Sequence, residues 1–318
     1  MRPASVTSRA WVLRAFGTPP QLEERAVPEP GSGETLIRVR AAQVSHIDLD
    51  VLSGNFGVLP DLPSVPGTEA AGHVVSSGTH RPEALVRVRG GGTGLRRDGG
   101  WAEHLLAPDS AVFPVPAGVD PGLACSFFSP ACTGHAAVHD VAVVRAGERV
   151  LVTGAAGAVG AMVVQIAARS GASVVGAVGS PAKLAQLDGV PGVVADELTA
   201  EAVGGPVDVL VDTVGGEVLR RGLALVRPGG RAALVGYTAG RQLQLDLPGH
   251  LLADVALLPV NLLRRGPEMT SVADRLLLQV QAGELRLPVQ AFPDYRLPDA
   301  VERLRDRSLV GKVVVEFP

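Results

Sequence analysis

Three glycines, Gly154, Gly157 and Gly160, follow the apolar run Arg149-Val-Leu-Val-Thr153. They precede a segment in which Val159, Met162, Val163, Ile166 and Ala167 recur at helical spacing. This succession of strand, glycine-rich turn and helix predicts a dinucleotide site. Glycines so spaced let the chain turn sharply, let backbone N–H groups approach a pyrophosphate, and let the helix pack closely on its sheet. The helix N-terminus adds partial positive charge where the phosphates would lie. Gly171 supplies the helix stop. Gly154, Gly157, Ala158, Val159 and Gly160 are therefore the candidate cofactor cradle, with Gly236 placed beside it.

The next strand bears on which dinucleotide fits. Where NAD is selected, a carboxylate about 20 residues beyond the glycines binds the ribose hydroxyls. From Ala172 to Leu187 there is no Asp or Glu, and Ser180 and Lys183 stand where a ribose phosphate would sit. A hydroxyl and a lysine charge suit a phosphate dianion that a carboxylate would repel. The predicted cofactor is NADPH.

The elements that must hold this turn show in the texture of the chain. Residues 1–122 are rich in Gly, Pro and short alternating runs such as Thr35–Arg40 and Gly72–Ser76, the pattern of a β domain. Residues 123–284 alternate apolar strands with helical stripes, the pattern of a parallel sheet with crossover helices. The predicted strands there are Val150–Thr153, Ser173–Ala177, Val207–Asp212, Arg231–Val235 and Val255–Leu258. Residues 285–318 return to strand-like runs at Gln290–Phe292 and Lys312–Phe317 around a helix at Pro298–Asp306, and are expected to rejoin the first domain. The glycine cluster between Gly90 and Gly100 is expected to be a surface loop.

Composition limits the function classes. The 318 residues are 46% hydrophobic, enough for a sizeable core. With 29 basic and 32 acidic residues the net charge is −3 and no basic cluster stands out, which argues against nucleic acid as a partner. Cys125 and Cys132 are the only cysteines, too few for a disulfide scaffold or a four-thiolate zinc site. No apolar stretch is long enough to cross a membrane and no leader pattern opens the chain, so a cytoplasmic enzyme acting on a small molecule is expected. Lys183 and Lys312 are the only lysines.

Eight motifs carry a family resemblance. They are Arg38–Ser45, Asp48, Pro66-Gly-Thr-Glu-Ala-Ala-Gly72, Gly99-Gly-Trp-Ala-Glu103, the turn Gly154–Gly160, Val211-Asp-Thr-Val-Gly-Gly216, Pro228-Gly-Gly230 and Gly311-Lys-Val-Val314. In this order they resemble the medium-chain dehydrogenase/reductase superfamily, and within it the zinc-independent quinone oxidoreductases related to zeta-crystallin and the enoyl reductases. The resemblance implies an α/β chain with a Rossmann doubly wound parallel sheet and a GroES-like β-barrel domain, joined as a homodimer. It also implies that Thr133 lies near the nicotinamide and that Arg307 helps hold the ribose phosphate.

Many members of that superfamily hold a catalytic zinc with Cys, His and Cys. The matching positions here are Ser45, Thr68 and Ser129, and hydroxyls are poor zinc ligands, so no metal is expected. The resemblance then implies metal-free hydride transfer to an activated C=C bond of an enone or enoyl thioester, or to a quinone. Such a reaction needs donors for the developing enolate and a proton source. An Asn and two Tyr that line the substrate cleft in typical members are matched by Ser45, Asp50 and Phe56, and the position of a tyrosine that closes the ribose-phosphate pocket is matched by Asp196. His46, flanked by Ser45 and Asp50, is the remaining candidate proton donor, with Ser45 and Asp50 as the other catalytic candidates, while Asp48 suits a backbone cap. Phe56, Asn261 and Arg264 are candidate pocket residues. Two alternatives remain: a cyclase or isomerase that keeps the nucleotide without reducing, and a non-catalytic, crystallin-like NADPH binder.

Overall fold

The computed structural model describes residues 6–306 and 309–318. In chain order the first elements are β1 (Thr7–Val12), β2 (Gln21–Ala26), β3 (Glu34–Val44), α1 (His46–Leu52), β4 (Glu69–Ser77) and β5 (Leu85–Arg89). Then come β6 (His104–Pro108), β7 (Val112–Pro114), α2 (Pro121–Ser126) and α3 (Phe128–His135). The middle of the chain holds β8 (Arg149–Thr153), α4 (Ala158–Arg169), β9 (Ser173–Val178), β10 (Gly192–Val194), β11 (Val207–Asp212) and α5 (Gly216–Leu223). It continues with β12 (Val226–Leu234), α6 (Leu247–Ala253), β13 (Ala256–Pro259) and α7 (Leu262–Gln281), and closes on β14 (Val289–Pro293), α8 (Leu297–Arg305) and β15 (Lys312–Glu316).

Two compact units result, Met1–Phe127 with Pro288–Pro318, and Phe128–Leu287. These limits differ from the sequence expectation of 1–122 with 285–318 and 123–284. The apolar stretch around α2 reads like the start of the helical half, yet α2 packs on β3, β4, β5 and β15 of the first unit. At the other boundary Leu285 and Leu287 are buried, and Arg286 N–H donates to Gln165 Oε1, which keeps these residues with the second unit.

The first unit is built on a mixed sheet of order β14-β15-β3-β4-β5-β7, with β6 also pairing β3. Alternating side chains from β3, β4, β5 and β15 meet those of α8 in a core that includes Ile37, Val39, Val74, Val86, Trp101, Leu105, Leu297 and Val313. The helix α1 interrupts what was expected to be an all-β segment. The glycine cluster at 90–100 is not a plain surface loop either. Gly94, Gly99 and Gly100 are buried, and a Cβ on Gly99 would strike the carbonyl oxygens of Pro66 and Gly67. Only a bare backbone can lie this close to the Pro66–Gly67 segment that leads to Thr68.

The second unit carries a parallel sheet of order β10-β9-β8-β11-β12-β13. Counted from the strand before the glycine turn, this is the doubly wound order 3-2-1-4-5-6. The order reverses between β8 and β11, so a crevice for a dinucleotide is expected outside the carboxyl ends of those two strands. Val207, Leu210 and Leu151 of the sheet pack with Leu219 of α5 and Leu225, while Met162, Val163, Ile166 and Ala167 of α4 are buried. No described helix is long and apolar enough to cross a membrane.

Candidate active site

The glycine turn occupies the switch point of the sheet. β8 ends at Thr153, and α4 begins at Ala158 with Gly157 as an N-cap that has no side chain to accept from the first-turn N–H groups. Those donors of Ala158, Val159 and Gly160 are left for an anion. Gly154 takes φ +63°, and a Cβ on Gly160 would collide with the Gly154 carbonyl oxygen. Turn and helix thus touch backbone to backbone, as a cofactor cradle requires.

A buried aspartate ties this turn to the neighbouring loop. Thr153 Oγ1 donates to Asp212 Oδ1 at 2.5 Å, and Gly215 N–H donates to Asp212 Oδ2 at 2.7 Å. Thr213 closes the mesh, its N–H donating to Thr153 Oγ1 at 3.1 Å and its hydroxyl to the Thr153 carbonyl at 2.7 Å. Gly236 N–H donates to the Asp212 carbonyl at 3.3 Å, so the predicted Gly236 joins the same assembly. Burial pushes the Asp212 carboxyl up, and its donors oppose that shift. Asp212 lies within the Val211–Gly216 motif, but nothing in the local pattern signals this role.

At the end of β9 a short 3-10 turn runs over Pro181–Leu187 with Ser180 as its N-cap; the Ser180 side chain makes no capping bond. Ser180 and Lys183 are both half-buried. A Cβ on Gly179 would meet nothing within 4 Å. The strand end therefore opens onto space flanked by a hydroxyl and a lysine, with no carboxylate on it, and these residues fit a ribose phosphate. The Asp196 side chain is 94% exposed, 3.9 Å from Arg221. Arg307 lies outside the described residues. Thr133 is buried in α3 beside Gly134, where a Cβ would press on Met162 of α4 at 2.9 Å. Asn261 is the N-cap of α7 and accepts from Arg264 N–H at 3.1 Å; the Arg264 side chain is exposed.

In the first unit, Ser45 caps α1. Its hydroxyl donates to Asp48 Oδ2 at 2.6 Å, its N–H donates to the same oxygen at 2.8 Å, and Asp48 N–H points back to Ser45 Oγ at 3.4 Å. This is a capping box with aspartate in the glutamate position. Asp48 Oδ1 also accepts from Thr68 N–H at 3.0 Å. One buried carboxylate thus binds both Ser45 and the backbone of Thr68. Burial raises its pKa and the Ser45 and Thr68 donors lower it. His46 and Asp50 lie on α1, His46 exposed and Asp50 half-buried, and Phe56 follows the helix half-buried. The protein around His46 removes part of its water and lowers its pKa, Lys312 lowers it further, and Asp50 acts in the opposite direction.

Lys312 belongs to a polar layer that the sequence did not reveal. Val313 pairs with Val44, Ala42 with Ala70, and Glu69 with Arg89. Val313, Val44, Ala42 and Ala70 point into the core, so Lys312, Gln43, Glu69 and Arg89 project from the opposite face, under α2. Arg89 Nε lies 3.4 Å from Glu69 Oε1. Burial lowers the pKa of Lys312, while Glu69 and Asp48 raise it. Burial raises the pKa of Glu69, while Arg89 and Lys312 lower it. Burial pushes the Cys125 thiol far up, so it stays protonated. Gln43 Oε1 is buried and has no hydrogen-bond partner among the described residues. The only sequence signals were the scarcity of lysine and the Gly311-Lys-Val-Val314 motif.

Among the described residues no group of three or more His, Cys, Asp or Glu is placed to hold a metal ion. A shallow cavity at Gly229, Gly230 and His250 lies at the amino ends of β12 and β13, the opposite end of the sheet from the glycine turn.

Residues 31–117 match the alcohol dehydrogenase GroES-like domain, and residues 158–276 match the zinc-binding dehydrogenase domain. The chain is similar to an alcohol dehydrogenase of Rhizobium meliloti, 31% identical over 277 residues that span 76% of this chain and 80% of the relative. It is similar also to the quinone oxidoreductase of Rattus norvegicus, 32% identical over 243 residues that span 72% of this chain and 73% of the relative. The crystal structure of the quinone oxidoreductase from Thermus thermophilus, solved also as its complex with NADPH, matches with a TM-score of 0.79. It is 31% identical, over 97% of this chain and 99% of that one. The chain belongs to the medium-chain dehydrogenase/reductase superfamily, in its quinone oxidoreductase branch. It is an oxidoreductase of a family that uses a nicotinamide cofactor.

Proposed function

We propose that this protein is an NADPH-dependent, zinc-independent reductase that delivers hydride to the activated C=C bond of an enone or enoyl thioester, or to a quinone. One observation carries the reading: the Ser45 hydroxyl is engaged by Asp48, and Thr68 N–H is held by the same carboxylate. Where zinc-bearing relatives are expected to present thiolate and imidazole, this chain presents the hydroxyls of Ser45, Thr68 and Ser129, a poor donor set for zinc, and that of Ser45 is engaged by Asp48. Alcohol oxidation through a Lewis acid does not suit these residues, whereas reduction of a conjugated acceptor needs none.

When bound, NADPH supplies the hydride. The chain's own work is to receive the pyrophosphate on the N–H groups of Ala158, Val159 and Gly160, to hold the 2′-phosphate with Ser180 and Lys183, and to support the turn through Thr153 and Asp212. The acid-free end of β9 favours NADPH over NADH. His46 is the side chain proposed to return a proton to the reduced substrate, with Asp50 beside it. We place the enzyme in the cytoplasm as a homodimer; the unpaired edge of β13 and the exposed Leu251 and Leu252 of α6 offer apolar surface for pairing.

The test is NADPH consumption followed by its absorbance with enones, enoyl thioesters and quinones, beside light scattering for the mass in solution. Turnover with at least one of these classes, faster with NADPH than with NADH, is expected. Product formation from an added substrate without NADPH loss would point instead to a cyclase or isomerase, and tight NADPH binding without any turnover to a non-catalytic protein.

A further inference from the structure

His135 ends α3, and His139 follows one turn later in a π-helical stretch, Ala136–Val141. Their ring centres are 4.6 Å apart and the planes are inclined at 54°. This spacing has a chemical meaning. An imidazole bound through one nitrogen puts its ring centre about 3.2 Å from the ion, given metal–nitrogen bonds of about 2.0–2.1 Å. Two such rings at a right angle about one ion have centres about 4.5 Å apart, and at the tetrahedral angle about 5.2 Å. The observed pair matches the right-angled arrangement. Its inclined planes differ from a parallel stack.

Histidines four apart on one helix face are a common way to grip a metal with two imidazoles. Among the described residues no hydrogen bond engages either ring, so a nitrogen of each is free to ligate. His139 is exposed and His135 half-buried, which leaves one side of an ion to water. We infer that His135 and His139 form a two-imidazole chelate for a divalent late transition metal, with water completing a tetragonal or octahedral shell. Right-angled nitrogen donors with oxygen elsewhere suit Cu²⁺ and Ni²⁺, and the general order of stabilities puts Cu²⁺ first. Two groups modulate the site. Asp140, the next residue, adds negative charge, and Arg275 of α7 opposes the incoming cation; both act on the two rings, whose pKa values burial lowers, with His139 lowering that of His135 further. No third protein ligand is at hand among the described residues, so the ion is exchangeable rather than structural.

The test is Cu²⁺ titration of the full chain at about pH 7.5, above the ordinary histidine value, read by calorimetry and by the nitrogen hyperfine pattern in electron paramagnetic resonance. One ion per chain with two equivalent imidazole nitrogens is expected. His139→Ala alters an exposed side chain and leaves the fold in place; it should weaken this binding more than tenfold and remove one nitrogen from the spectrum. Arg275→Met should tighten it. A His139→Ala protein that binds Cu²⁺ with unchanged affinity and spectrum would overturn the assignment, as would a wild-type chain that binds none.

Discussion

Thr153 Oγ1 donates to Asp212 Oδ1 at 2.5 Å, and this bond joins the carboxyl ends of β8 and β11, the two strands between which the sheet reverses its order. The same carboxylate receives Gly215 N–H, so one side chain fixes both the glycine turn and the loop opposite it. Asp212→Ala leaves a buried hydroxyl and a buried N–H without their acceptor. The expected cost is about 2 to 4 kcal/mol, since bonds to charged groups are the stronger ones and orphaned partners add their own penalty. Urea unfolding measures the loss. Fluorescence titration should show NADPH affinity falling with it, and Asp212→Asn, which keeps one acceptor, should lose less of both.

Gly160 and Gly157 make a matched pair. A Cβ at Gly160 would collide with the Gly154 carbonyl, whereas one at Gly157 would sit 3.2 Å from that same oxygen. Gly160→Ala is therefore expected to force α4 away from the turn, at about 1 to 3 kcal/mol, and to weaken NADPH binding more than tenfold. Gly157→Ala should be milder in both. Equal effects in the two variants, measured by thermal unfolding and cofactor titration, would contradict this account of the turn.

The ionisation of His46 links the exposed start of α1 to the buried polar layer. Desolvation lowers its pKa first, Lys312 next, and Asp50 counteracts both. Neutral imidazole is thus favoured in the folded protein. The stability that follows is present above about 6.5, the ordinary histidine value, and is lost as pH falls through the lowered folded value. Lys312→Met should raise the His46 pKa and Asp50→Asn should lower it, as read from the imidazole proton shifts in NMR titrations. If His46 returns the proton, kcat should climb as pH falls below about 6.5 in the wild type. That rise should vanish in His46→Gln.

What the sequence disclosed, and what it withheld, follows the range of the interactions. The glycine turn, α4 and β11 were legible because strand, turn and helix are encoded in consecutive residues. The Ser45–Asp48 cap was legible for the same reason, its partners being three residues apart. Lys312, Gln43, Glu69 and Arg89 come from four strands, and only the pairings of β15, β3, β4 and β5 put them in one layer; nothing local announces that register. Gly99 illustrates a different loss. Its composition says loop, but whether a glycine serves a turn or a close approach depends on the Pro66–Gly67 backbone it meets, far earlier in the chain. The boundary after Phe127 was misplaced because the helical apolar pattern of α2 says nothing about which sheet that helix covers.

Lys183 offers the sharpest separation of cofactor choice from fold. It is half-buried at the open end of β9, with Ser180 three residues before it and no carboxylate on the strand. Lys183 sits half-buried on a short 3-10 turn, and Lys183→Met should cost no more than about 1 kcal/mol of stability, the centre of the range for single substitutions. Its largest effect should fall on the phosphate. An ammonium on a phosphate dianion is a charge-assisted contact, and a tenfold change in affinity corresponds to about 1.4 kcal/mol. The KM for NADPH is therefore expected to rise at least tenfold while that for NADH stays put, and adding Ser180→Ala should widen the gap in the same direction. Parallel losses for both dinucleotides would mean that Lys183 acts on a part they share, and the 2′-phosphate would have to be held elsewhere.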